Sequence, residues 1–113
     1  MEISGLAWSD PAPFSPKQTL AEALLTPTKI YVASMMPLIR GGLIKGLAHI
    51  TGGGLTENTP RMLPSRLKAD IDMTAWDRPA LFNWLQETGN VAEAEMQRAF
   101  NCGIGIVTAV APA

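Results

Sequence analysis

Short apolar runs broken by glycine and proline set the pattern of this chain. Pro11, Pro13 and Pro16 make residues 1–18 irregular, and Trp8 and Phe14 are expected to pin that stretch to the body. Thr19 is a candidate N-cap for a helix over Leu20–Leu25, which Pro27 ends. Apolar residues on adjacent helical faces predict a second helix over Lys29–Arg40, kinked or broken at Pro37 and stopped by Gly41 and Gly42. Leu43–Thr51 reads as a strand buried on both faces, with Leu43, Ile44, Leu47, Ala48 and Ile50 as its apolar positions. A short helix over Leu55–Leu63 tolerates Pro60 only near its first turn. The alternation of Leu67, Ala69, Ile71 and Met73 predicts a second strand. Pro79–Thr88 reads as a helix with Asp77 as N-cap, an apolar face of Leu81, Trp84, Leu85 and Thr88, and Gly89 as its stop. One or two helical turns follow over Ala92–Arg98. A glycine-containing strand then starts at Phe100 and ends in the apolar run from Ile106 to Ala113. Helices alternating with three strands imply an α/β fold of α+β-like layered form, a mixed sheet flanked by helices.

Composition narrows the picture. The chain has 113 residues, enough for one domain with a core, and no internal repeat. It is 47% hydrophobic and 17% charged, which describes a globular chain and not a disordered one. The net charge is −1 with no basic stripe, so nucleic acid is not expected as a partner. The apolar run from Gly103 to Ala113 is about half the length of a membrane helix, so a membrane is not expected either. A single cysteine, Cys102, excludes an internal disulfide and suits a reducing, cytoplasmic compartment. The final run also reads as a strand with unpaired edge groups.

The densest motif is Ala48-His49-Ile50-Thr51-Gly52-Gly53-Gly54-Leu55, running on through Thr56-Glu57-Asn58-Thr59-Pro60-Arg61-Met62-Leu63-Pro64. Three glycines between a strand and a helix make either a plain turn or a cradle of backbone N–H groups for an anion. The known nucleotide loops do not fit. Gly46 is followed by Leu47 and not by the Lys-Ser/Thr of a P-loop, and Gly103-Ile104-Gly105 lacks a third glycine at Thr108. His49, the one histidine, is either a general base or a strand histidine satisfied by a neighbour, and it has no second ligand for zinc. Cys102 reads as a buried structural thiol. Asn58 either reaches back to the glycine loop or outward to a sugar or phosphate, and Glu57 is equally placed to offset the helix dipole in a structural role. Arg61 is a phosphate clamp or an ordinary ion pair. Trp76, Phe82 and Trp84 form an aromatic group read as packing, and Asp70 and Asp72 are a metal pair or a solvent-facing strand edge.

Four segments taken together closely resemble phosphoribosylformylglycinamidine cyclo-ligase, the aminoimidazole ribonucleotide (AIR) synthetase family. They are Leu25-Thr26-Pro27-Thr28-Lys29-Ile30-Tyr31-Val32; Ala48 to Pro64; Phe82-Asn83-Trp84-Leu85-Gln86 with Gly89-Asn90-Val91; and Met96-Gln97-Arg98-Ala99-Phe100-Asn101-Cys102-Gly103-Ile104-Gly105. The resemblance covers nearly the whole chain and implies an incomplete C-terminal domain of that family. The family's Gly-Pro-His-Ser-Asn-Gly segment and its Asp-Gly-Val-Gly-Thr-Lys signature are not in this sequence, and Ala99 stands where the family usually has threonine. Thiamine-monophosphate kinase, selenophosphate synthetase and the hydrogenase-maturation dehydratase share the domain plan. The strings Thr56-Glu57-Asn58-Thr59-Pro60-Arg61 and Phe100 to Gly105 match the cyclo-ligase more closely.

The resemblance implies part of an ATP-dependent ring closure in purine biosynthesis, from formylglycinamidine ribonucleotide to aminoimidazole ribonucleotide. ATP and Mg2+ are expected on the family's N-terminal half, with no cofactor or metal on this chain, and the longer enzyme is expected to be a homodimer. A small-molecule ribonucleotide is the expected partner. The residues put forward to meet substrate or phosphate are Thr51, Gly52, Gly53, Gly54, Asn58, Asn101 and Gly103; no catalytic residue is assigned. The isolated chain is expected to be inactive alone. The alternative is a non-catalytic association module of the same fold.

Overall fold

The computed structural model describes residues 3–112, so Ala113, the last residue of the expected terminal strand, lies outside the described residues. Helices and strands share the chain in the layered α+β manner expected. The strands form two antiparallel pairs.

The proline-rich start is more ordered than its composition suggests. Pro11–Ala12 (β1) pairs with Ser15–Thr19 (β2) around a register irregularity, and such edge pairing tolerates proline. Phe14 leans on Trp84 at 5.2 Å between ring centroids, so it pins the hairpin as expected, while Trp8 stays 56% exposed. Thr19 caps Leu20–Leu24 (α1) in a capping box: its hydroxyl accepts from the Glu22 N–H, and the Glu22 carboxylate accepts from the Thr19 N–H.

Val32–Arg40 (α2) starts three residues later than predicted, with Tyr31 as N-cap, and runs through Pro37 to Arg40 without the expected break. The proline ring removes one intrahelical donor near the end of a short helix, where few bonds remain to be lost. No residue of α2 is buried.

Ile44–His49 (β3) pairs antiparallel with Ile106–Val110 (β4), from Ile44 opposite Val110 to His49 opposite Ile106. The expected burial on both faces is corrected: Leu43 and Leu47 are exposed, and only Ala48 of the strand is fully buried. One face alone meets a packing layer. There Ala48, Ile50 and Leu55 form a core with Met62, Ile71, Met73, Trp76, Ile104 and Val107 against it.

The predicted helix over 55–63 divides into Gly54–Asn58 (α3) and a 3₁₀ turn, Thr59–Met62, with Pro60 in its first turn. The strand predicted over Leu67–Met73 does not form. Ile71 and Met73 do pack on the core, so the alternation reports burial without pairing. Asp72 instead accepts from the N–H and hydroxyl of Thr74 and closes a turn.

Ala80–Gly89 (α4) follows Pro79, which takes the N-cap place expected for Asp77, and Asn90 ends the helix at φ 47°. Glu93–Ala99 (α5) buries Met96. The strand expected from Phe100 begins only at Ile106, because residues 101–104 form a turn in which the Ile104 N–H donates to the Asn101 carbonyl at 2.9 Å. The three aromatic residues do not form one group. Trp76 packs on the core, Phe82 faces Phe100 at 5.9 Å, and Trp84 meets Phe14.

Candidate functional site

The glycine loop joins β3 to α3. The Gly54 N–H donates to the Thr51 carbonyl at 3.0 Å, and Gly53 and Gly54 have φ values of 102° and 57°. A β-carbon on Gly54 would lie 1.9 Å from the Gln97 carbonyl oxygen, so this glycine lets α3 press against the backbone of α5. Gly52 is different, since a β-carbon there meets nothing within 4 Å. The side chain of Asn58 is 95% withdrawn from solvent and settles its own orientation: Nδ2 donates to the carbonyls of Thr51, Gly52 and Gly54 at 3.3, 3.2 and 2.8 Å. Asn58 reaches back to the loop and holds it from inside. Its Oδ1 accepts from Arg61 Nη1 at 3.3 Å, and Arg61 lies 3.9 Å from Glu57. Both Arg61 and Glu57 are thereby engaged with their own neighbourhood.

A second turn faces the loop from the C-terminal side. Asn101 Oδ1 accepts from the Gly103 N–H at 3.0 Å, which fixes the turn and uses that donor internally. Gly103 has φ 103°, and a β-carbon there would meet Pro79 Cδ at 2.6 Å, so the glycine seats the turn on the start of α4. Between the two residues Cys102 is buried at φ 47°, its carbonyl accepting from Trp76 Nε1 and its thiol directed at the Met96 carbonyl. Burial pushes the Cys102 thiol above its ordinary pKa, which suits the structural reading.

Loop and turn meet at a cleft of about 700 Å³. Its walls are the end of α1, residues 26–29 with Tyr31, the end of β3 with Ile50 and Thr51, the start of α4, and the turn at Asn101, Gly103 and Gly105. Of the residues the sequence put forward, Thr51, Asn101 and Gly103 line this cleft; Gly52, Gly53, Gly54 and Asn58 do not. Asn58 lies with Thr51, Arg61 and Met62 at a neighbouring hollow of about 370 Å³.

The cleft also gathers Lys29, Tyr31 and His49, which sequence reasoning had not joined. Lys29 Nζ stands 5.8 Å over the Tyr31 ring, and the His49 ring meets the edge of Tyr31 at 6.3 Å. Tyr31 can lie there because Gly105 has no side chain: a β-carbon would be 2.0 Å from its hydroxyl. His49 is exposed and makes no hydrogen bond through its imidazole among the described residues, so the expected satisfying partner is replaced by a ring contact. The available signal was the Thr26-Pro27-Thr28 break between the two predicted helices, directly ahead of Lys29.

Among the described residues no group of three or more His, Cys, Asp or Glu side chains converges, and the Asp72 carboxylate accepts from Thr74, which holds it below the usual carboxylate range. No helix among the described residues is long and apolar enough to cross a membrane.

A family model described as "AIR synthase related protein, C-terminal domain" matches residues 1–113.

Proposed function

The chain belongs to the AIR synthase-related family, as its C-terminal domain, and we propose from that premise that it forms the ribonucleotide-binding side of an ATP-dependent cyclo-ligase making aminoimidazole ribonucleotide. One observation carries this reading. The four segments that resemble the cyclo-ligase are spread from Leu25 to Gly105, and residues from all four line the same cleft. Thr26 to Lys29 and Tyr31 come from the first, His49 to Thr51 from the second, Phe82 from the third, and Asn101, Gly103 and Gly105 from the fourth.

The cleft's task is positioning. Ring closure needs the amine nitrogen held against the activated amide carbon, and alignment of this kind removes a large part of such a barrier. The Thr51 hydroxyl and Asn101 Nδ2 have no protein partner among the described residues and are free to orient polar atoms of the substrate. Gly53, Gly54 and Asn58 contribute by holding Thr51 in place, and Gly52 leaves the loop open on its outer side. Gly103 seats the turn that carries Asn101. ATP and its magnesium belong to the other half of the enzyme in this reading.

The test is calorimetric titration of the chain with aminoimidazole ribonucleotide, followed by Thr51→Val and Asn101→Ala. Each variant should weaken binding roughly tenfold, the worth of one lost hydrogen bond to a polar ligand. Absence of binding at millimolar ligand overturns the assignment. The chain by itself should not close the ring with ATP, and turnover by it would also overturn this division of labour.

A second reading, association without catalysis, is favoured by one face. Val32, Met35, Met36 and Ile39 of α2 lie with Leu47 and Ile106 around an open hollow of about 380 Å³ that Lys29, Tyr31 and His49 also line. A homodimer through this face is the form that reading takes.

A further inference from the structure

We propose that Lys29, Tyr31 and His49 form an anion subsite at one corner of the cleft that takes the 5′-phosphate of the ribonucleotide substrate. This rests on the ribonucleotide reading above and adds where the charged end of the molecule lies. Among the described residues, no aspartate or glutamate lines the cleft. The cleft's one ammonium and its one imidazole both lie against the same tyrosine ring. A carboxylate-free pocket with a cation at its rim favours a phosphate monoester over a neutral or cationic ligand.

The corner is built. The cation–π contact draws Lys29 toward the cleft at an exposed position where its side chain would otherwise range freely. The Tyr31 hydroxyl rests over Gly105, whose carbonyl accepts from the Ile50 N–H at 2.9 Å, so the tyrosine is registered against the end of β3. His49 is placed by its pairing with Ile106 and turns its unpartnered imidazole toward the same ring. In this placement the phosphate accepts from the Lys29 ammonium, the Tyr31 hydroxyl and the His49 imidazole N–H, three donors from two separate segments of chain. The apolar wall made by Leu81 and Phe82 is left for the rest of the molecule.

The sole histidine makes the test direct, because its ring protons give one unambiguous set of NMR signals. Titration with ribose 5-phosphate should move those signals saturably, and ribose at the same concentration should not. Inorganic phosphate should compete. ATP should compete no better than inorganic phosphate, which separates a monoester site from one for a nucleotide triphosphate. Lys29→Met, at an exposed position, should weaken ribose 5-phosphate binding tenfold or more while leaving the amide spectrum of the core unchanged. Gly105→Ala should displace the end of Tyr31 and shift the unliganded His49 signals. An unmoved His49, an equal response to ribose, or full affinity in Lys29→Met overturns the subsite. If aminoimidazole ribonucleotide binds by calorimetry while His49 stays still, the subsite fails and the cyclo-ligase reading stands. If ribose 5-phosphate binds and aminoimidazole ribonucleotide does not, the subsite stands and the cyclo-ligase reading fails.

Discussion

Asn58 shows how much one side chain can decide. Its amide serves three carbonyls of the glycine loop, and no other side chain replaces it there among the described residues. Asn58→Ala removes the side-chain donor shared by three loop carbonyls, of which Thr51 keeps the Gly54 N–H, and should lower stability by about 2 kcal/mol in a denaturant melt. Asn58→Asp should cost at least as much, because a carboxylate cannot donate and faces the same oxygens. If Asn58 contacted ligand instead, Asn58→Ala would reduce affinity with little change in stability. The sequence left both orientations open, and the choice follows from burial, which a single residue and its spacing do not display. Gly103 was expected within a strand, and the structure puts it instead in a turn pressed against Pro79. The grouping of Lys29 with His49 was not legible either, since it depends on β3 and the 26–31 segment meeting in space.

Among the elements, the helices were the most readable because their signals are local. Thr19 and Glu22 stand at capping-box spacing, and Gly89-Asn90 ends α4 within a residue of expectation. Strands depend on a partner. The alternation at Leu67–Met73 had the right period and no neighbour to pair with, while the proline-rich hairpin paired in spite of its composition. The joint between α4 and α5 carries a further prediction. The Arg78 guanidinium pairs with the Glu93 carboxylate and donates to Gln86 at 2.8 Å, and Gln86 and Gln97 donate to Glu93 at 2.9 and 3.0 Å. These bonds, Arg78 first, lower the Glu93 pKa from 4.5 to about 2. The depressed value means that the stabilisation is complete above pH 4.5 and is lost as pH falls from there toward 2. Glu93 is half exposed, so solvent screening limits the effect to about 1 kcal/mol. Thermal melts across that window should show the loss in the native chain and a flatter profile in Glu93→Gln.

At the scale of the whole molecule the chain is long and flat, 48 × 30 × 21 Å, with a radius of gyration of 16.6 Å against about 13 Å for a compact chain of this length. The excess shape goes with exposed apolar side chains, Ile30 at 83% and Val32 at 64% among them. Single exposed apolar residues need no explanation, but the set gathered on α2 and β3 is what the association reading proposed above rests on. Sedimentation should therefore show a mass that rises with concentration. Val32→Glu with Ile39→Glu should hold the chain monomeric without lowering its melting temperature, since both side chains are exposed in the monomer. A monomer at every concentration would remove the association reading. The order of the ladder has a consequence in time. His49 pairs with Ile106 and Ile44 with Val110, so the loop, α3, α4 and α5 are all strung between the two strands. On the ribosome the first wall of the cleft is made long before the last. Closure of the cleft is a late folding event that waits for β4, and until then the apolar face of β3 is what a chaperone would meet.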